Sequence, residues 1–323
     1  MKRKFGLVAI GDALVDILVH ADEVPAGMKK GGMTLVDRQE AVAVYAQAGA
    51  GMLMSGGSAA NSLSGFVSFG GKGAFIGKTA DDEFGAVFRN DLQAQGISFT
   101  TLPHMGGEET GRSIILITPD GERTMNTYLG ANGAFGPDDV DESLIAQADI
   151  VLLEGYLFDK PDAKAAFMKA AQAAKIAGTK VAFTLSDAEC VKRHRDDFKA
   201  LVDKVDILFA NEREIKALTS KEDFAEAVQA IPGSCEVAVI TRGAKGALIV
   251  TAAQSYTIAP VKPKKLEDTT GAGDAFAAGV LYGLSEGMNP AEAGALGAKA
   301  ASATIAHVGA RSPDVRFADL LNG

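Results

Sequence analysis

The 323-residue chain is poor in cysteine, in long apolar runs and in positive charge. Its two cysteines, Cys190 and Cys235, form no CxxC pair or other ligand spacing. That excludes a disulfide-stapled secreted scaffold and a zinc module, and it points to a reducing, cytoplasmic setting. No stretch approaches the ~18 uninterrupted apolar residues of a membrane span. The start, MKRKFGLVAIGDALVD, is basic and then apolar in the manner of a secretory leader. The apolar run ends at Asp12, however, and no small-residue cleavage site follows. Lys and Arg number 32 against 41 Asp and Glu, a net charge of −9 that opposes nucleic-acid binding. The four histidines, His20, His104, His194 and His307, show no HExxH spacing, and Cys190 with His194 is only a lone pair four residues apart. There is no GxGxxG, which argues against a dinucleotide-binding reading, and no internal repeat or low-complexity tract.

What is present is alternation. The chain is 47% hydrophobic and 23% charged, ordinary for a globular protein, and its length suits two domains or one large α/β domain with an attachment. Apolar runs such as FGLVAIG, IVLLEG, VAFTLS, DILFAN and VAVITRG are separated by amphipathic stretches such as PDAKAAFMKAAQAAKIAG. Continuous apolar strands between helices predict a parallel sheet covered on both faces, an α/β sandwich. Two regions break the pattern: residues 17–50, with a Gly-rich GMKKGGMTLVD and a helix-like QEAVAVYAQ, and residues 98–130, with polar alternation and a turn signal at Pro119-Asp120-Gly121. These predict a small β-sheet lid on a large domain made of residues 1–16, 51–97 and 131–323. A decorative hairpin is the alternative.

Four segments bear on chemistry. Asp268-Thr-Thr-Gly-Ala-Gly-Asp274 runs into the helical AFAAGVLYGL, so Gly271, Ala272 and Gly273 can present free amides at a helix N-terminus, an anion site. Asp274 in the first turn is awkward beside an anion unless it accepts a proton from an attacking hydroxyl. The competing reading is a carboxylate that complements the helix dipole. In SGGSAANSLSGF, Gly56 and Gly57 allow backbone to approach a ligand and Asn61 offers a hydrogen bond to a sugar hydroxyl; a Ser-capped helix with small packing residues is the alternative. Asn211 and Glu214 follow the run DILFA with the spacing of a capping box, or of oxygens that hold water around Mg²⁺. Gly77-Lys78-Thr79 imitates a Walker A loop, but Lys72 occupies the place of its first glycine.

In order along nearly the whole chain, GDALVD, SGGSAANS, FIGKTADDEFG, DILFANERE, TRGAKG and DTTGAGDAF resemble the ribokinase-like (PfkB) family of sugar and nucleoside kinases. Finer features, including GERTMNTYLGAN and VDILFANERE, are similar to adenosine kinases, with the departure that Asp12 stands where those usually carry Asn. The resemblance implies a three-layer α/β/α sandwich with a small lid and an ATP-dependent kinase acting on a nucleoside 5′-hydroxyl, adenosine foremost. Asp274 would be the base and the amides of Gly271 to Asp274 the anion hole. Asp12, Asp16, Gly56, Gly57 and Asn61 would hold the acceptor, with Tyr156 either flanking a base or belonging to the core. Thr241, Gly243 and Gly246 would line the nucleotide site together with Asn211. Asn211 and Glu214 would organise Mg²⁺ through water, Arg123 would reach a phosphate, and Asp268 would begin a loop that in many relatives binds a monovalent cation such as K⁺. The expected partners are small molecules, with neither nucleic acid nor membrane, and the working state is a monomer or homodimer. A kinase for ribose, fructose or another free sugar stays open as the alternative, and so does a catalytically idle nucleotide-binding regulator.

Overall fold

The computed structural model describes residues 3–25, 28, 30, 33–49, 51–119, 123–231, 233, 235–311 and 315–322. Its strands are β1 (Phe5–Ile10), β2 (Leu14–His20), β3 (Met33–Leu35), β4 (Met52–Gly56), β5 (Gly73–Ile76), β6 (Ser98–Phe99) and β7 (Gly111–Ile117). After these come β8 (Arg123–Tyr128), β9 (Ala148–Glu154), β10 (Lys180–Thr184), β11 (Ile207–Asn211), β12 (Val237–Thr241), β13 (Ala247–Thr251) and β14 (Ser255–Ile258). Nine form one sheet in the order β14-β13-β12-β11-β10-β9-β1-β5-β6, parallel from β6 to β12, with β13 and β14 antiparallel at one edge.

The apolar runs are continuous because both faces of this sheet are covered. In β1, Val8 and Ile10 pack into one core, while Leu7 and Ala9 pack into the other. Its neighbour β9 divides in the same way, Val151 and Leu153 against Ile150 and Leu152. A sheet buried on one face alone would need polar residues at alternate positions. No helix among the described residues is long and apolar enough to cross a membrane.

The second sheet, β3-β8-β7-β2-β4, is the small one expected, but its limits differ. It already begins at Leu14 and takes in β4 up to Gly56, whereas Ser98–Phe99 pairs with β5 in the large sheet. The reason is local: only Gly11, Asp12 and Ala13 separate β1 from β2, so one apolar run passes from one sheet into the other. The pairing is also mixed: β2–β4 and β7–β8 are antiparallel, β2–β7 and β3–β8 parallel. Of the expected turn, Asp120 and Gly121 lie outside the described residues. The helix-like stretch is the helix Arg38–Ala48, capped by Asp37 and Glu40 in a reciprocal capping box.

The chain crossings between the sheets are fastened together. The Asn132 side chain accepts from Ala13 N at 2.8 Å and donates to Leu129 O at 2.9 Å, joining the β1–β2 crossing to the exit from β8. At the β4 exit, Gly57 has φ +90°, and a Cβ there would stand 2.2 Å from the Asp12 carbonyl oxygen. Only glycine allows that approach.

Candidate active site

A cavity of about 470 Å³ opens where the carboxyl ends of the parallel strands meet the lid, the usual ligand position in open α/β sheets. Asp12, Asp16, Gly57, Asn61, Tyr156, Asn211, Glu214, Thr241, Gly271, Gly273 and Asp274 all line it, so most of the expected residues are gathered in one place. Six expected residues do not line it. Gly56 backs the Asp16 carboxyl so closely that a Cβ would lie 2.4 Å from it. Gly243 and Gly246 shape the turn after β12, closed by Arg242 N donating to Gly246 O at 2.8 Å. The Ala272 amide turns to the Thr269 carbonyl at 3.3 Å. Arg123 and Asp268 face each other, 2.5 Å apart, with side chains 9% and 5% exposed.

Asp274 sits in the first turn of the helix Ala272–Ser285, which starts at Gly271 in the left-handed conformation, φ +73°. Its Oδ1 accepts from Ser58 Oγ at 2.6 Å and its Oδ2 from Asn61 Nδ2 at 2.9 Å. Burial pushes this carboxyl above its ordinary range, and the two hydrogen bonds partly offset that. Ser58 therefore does not cap its helix Ser58–Ser68; it holds the carboxylate, while Gly57 is the cap residue. Asn61 is held in turn by Arg311, whose Nε donates to Asn61 Oδ1 at 2.8 Å and whose Nη1 bonds Ser55 Oγ. With its oxygen occupied by a guanidinium, the Asn61 amide must direct its N–H toward Asp274.

Beside these lie two buried carboxyls. Asp12 is 3% exposed with Oδ1 lacking a hydrogen-bond partner, and burial pushes it up to about 7, partly countered by Lys160. Glu154, 1% exposed, accepts from Ala59 N at 2.7 Å and is pushed well above the usual carboxyl range by burial and then by Asp12. Asp16 is raised to about 6 by burial, against the opposing pull of Arg311 and Arg123. Glu154, Ser58 and Arg311 escaped the sequence reading. The first ends the apolar run IVLLE and is its only charge, a usable signal. Arg311 stands in no motif and 250 positions from Asn61.

Asn211 and Glu214 form a complete capping box. Asn211 Oδ1 accepts from the amides of Arg213 and Glu214 at 2.9 Å each, and Glu214 Oε2 accepts from Asn211 N at 2.9 Å. The capping reading thus holds, and both side chains still line the cavity. Burial raises Glu214 to about 7, with Asp187 and Asp274 adding to the effect. Glu214, Asp187 and Asp274 all line the cavity, and carboxyl oxygens are the donor type suited to a hydrated Mg²⁺. Tyr156 is 38% exposed on the cavity wall and does not belong to the core. Lys78 of the false Walker motif is paired with Asp139 at 2.5 Å. Asp159 joins Cys190 and His194 so that their donor atoms lie within 4.8 Å of one another, but Arg193 spans Asp159, and His194 Nε2 lies 2.7 Å from it.

Residues 33–316 match the pfkB family of carbohydrate kinases. The chain belongs to that family. This PfkB kinase is 34% identical over 232 residues to an ATP-dependent ribose-1-phosphate kinase of Halopiger xanaduensis, covering 70% of this chain and 72% of that one. Among solved structures, the adenosine kinase of Sinorhizobium meliloti superposes with a TM-score of 0.92 at 40% identity, over 99% of both chains. A probable sugar kinase of Rhizobium etli also gives 0.92, at 38% identity, over 99% of this chain and 98% of that one. The PfkB kinase is accordingly a phosphotransferase with an alcohol acceptor, on a ribokinase-like fold. The idle-regulator alternative falls away.

Proposed function

We propose that this PfkB kinase transfers the γ-phosphate of ATP to the 5′-hydroxyl of a nucleoside, with adenosine the leading acceptor. One observation carries the reading: the cavity lining joins carboxyl and amide side chains to several large apolar side chains of the small sheet. Asp12, Asp16, Asn61 and Asp274 line the cavity together with Met33, Leu35, Ile115, Met125 and Leu129, and the small sheet adds the hydroxyls of Ser113 and Thr127. Met33 and Leu35 are 45% and 53% exposed. A free sugar satisfies the carboxylates and leaves these apolar side chains wet; a purine base would cover them. The 40% identity to a protein named adenosine kinase supports the same choice.

In this reading Asp16 accepts hydrogen bonds from the ribose diol. Asp274, its basicity raised by burial and its orientation fixed by Ser58 and Asn61, takes the proton of the attacking hydroxyl. The helix N-terminus at Gly271 and Gly273 faces the transferring phosphoryl with its positive dipole end. Thr241 borders the ATP site, with the turn of Gly243 and Gly246 behind it. Mg²⁺, held through water by Asn211 and Glu214, would neutralise charge on the ATP phosphates. The protein is taken to be cytoplasmic.

A sugar or sugar-phosphate acceptor is the second reading, favoured by the name of the Halopiger relative. The two separate when kcat/KM is measured for adenosine, 2′-deoxyadenosine, ribose, fructose and ribose 1-phosphate under one set of conditions. Loss of one hydroxyl facing a carboxylate removes about 1.5–3 kcal/mol, so adenosine should exceed 2′-deoxyadenosine at least ~10-fold. A sugar or sugar phosphate that beats adenosine overturns the nucleoside reading.

A further inference from the structure

The resemblance to the family implies a monovalent cation at the loop that Asp268 begins, and the residues present do not suit one. Asp268 is 7% exposed and its carboxylate is fully engaged. Oδ1 accepts from Thr270 N at 3.0 Å, within the loop that leads to Asp274, and Oδ2 accepts from Gly309 N at 2.7 Å. The Arg123 guanidinium lies 2.5 Å from the same Oδ2. A K⁺ ion at this carboxylate would have to share a buried space with a fixed positive charge, against Coulomb repulsion that low surrounding dielectric makes severe. Arg123 is buried with neither Nη in a well-aligned hydrogen bond, so what opposes its desolvation is the attraction of Asp268 and Asp16.

We infer that Arg123 is the chain's own cation at the Asp268 loop, so that the lid supplies the charge expected of a monovalent ion and turnover needs no such ion. Arg123 is the first residue of β8 in the lid sheet, whereas Asp268 belongs to the large domain. A dissolved ion would order the loop wherever the lid stood; a guanidinium on the lid orders it only when the lid rests on the large domain. Arg123 is thus a positioning residue for the anion hole, acting through Asp268 and Thr270.

The inference rests on the kinase activity but not on which acceptor is used. The full chain and its Arg123→Met and Arg123→Lys variants are compared in KCl, NaCl and choline chloride at equal ionic strength. The first readout is turnover with the best acceptor, the second thermal unfolding without substrates. The natural protein should turn over equally in the three salts, within about twofold, ~0.4 kcal/mol. Arg123→Met should lose at least ~10-fold in choline, equal to about 1.4 kcal/mol, and recover most of it in KCl, with K⁺ raising its Tm. Arg123→Lys keeps a cation and should stay indifferent to K⁺, which preserves the test if the Met variant fails to fold. Severalfold activation of the natural protein by K⁺ overturns the inference. So does an Arg123→Met variant that is fully active in choline or deaf to K⁺. Absence of turnover on every nucleoside would instead remove the proposed acceptor and leave the unfolding comparison standing.

Discussion

Replacing Asp12 by Asn should make this protein more stable, and by an amount that depends on pH. The Asp12 carboxyl is 3% exposed, one of its oxygens has no hydrogen-bond partner, and Glu154 lies beside it. Burial raises it from 3.8 to about 7. Between those values the folded protein keeps a proton that the unfolded chain has released, so stability from this group is fully present below pH 3.8 and lost as pH rises through about 7. At about 1.4 kcal/mol per pH unit the loss amounts to roughly 4 kcal/mol at pH 8. Asn has nearly the same shape and no charge to desolvate. Glu154 ionises more readily without its neighbour, which returns part of the gain, so about 2–4 kcal/mol is expected. That corresponds to a Tm about 3–6 °C higher at pH 8, with the two proteins converging near pH 4. Urea or thermal unfolding of both proteins at half-unit steps from pH 4 to 8.5 measures the difference. Parallel stability curves, or a variant less stable at pH 8, would refute the idea that Asp12 carries a penalised charge. By the resemblance, adenosine kinases usually carry Asn here, so adenosine turnover should survive the change.

Asp274→Asn should fold, because the change is nearly isosteric, and lose roughly 10²–10⁴-fold in kcat; turnover near that of the natural protein would remove the base. Glu214→Ala opens the capping box and should lower stability by about 0.5–2 kcal/mol while raising the Mg²⁺ concentration needed for half-maximal rate. A stability loss with unchanged Mg²⁺ dependence would leave Glu214 a cap only.

The large sheet was readable because its strands are unbroken apolar runs, and runs of that kind are needed only where both faces are dry. Asp274 was readable because small residues before a helix expose amides whatever the rest of the fold does. The lid boundary was not, since nothing in FGLVAIGDALVDILVH marks the point at which the strand leaves one sheet for the other. Arg311 was unreadable for a different reason. Its role is set by meeting Asn61 across 250 positions, and no local pattern encodes a long-range meeting of that kind. With Asn211 and Glu214 the spacing was compatible with two uses, and the fold makes the cap while leaving both side chains on the cavity.

The crossing of Gly11, Asp12 and Ala13 between the two sheets has a kinetic consequence. Asp12 and Asp16, the carboxylates proposed to hold the acceptor, flank the joint between the two sheets, and Asn132 clamps that joint to the exit of β8. Even without an acceptor, the Arg123–Asp268 ion pair holds the small sheet against the large domain. On that proposal the acceptor docks at the joint itself, so its binding would be linked to the placing of the small sheet. Asn132→Ala should therefore raise the KM of the acceptor more than that of ATP.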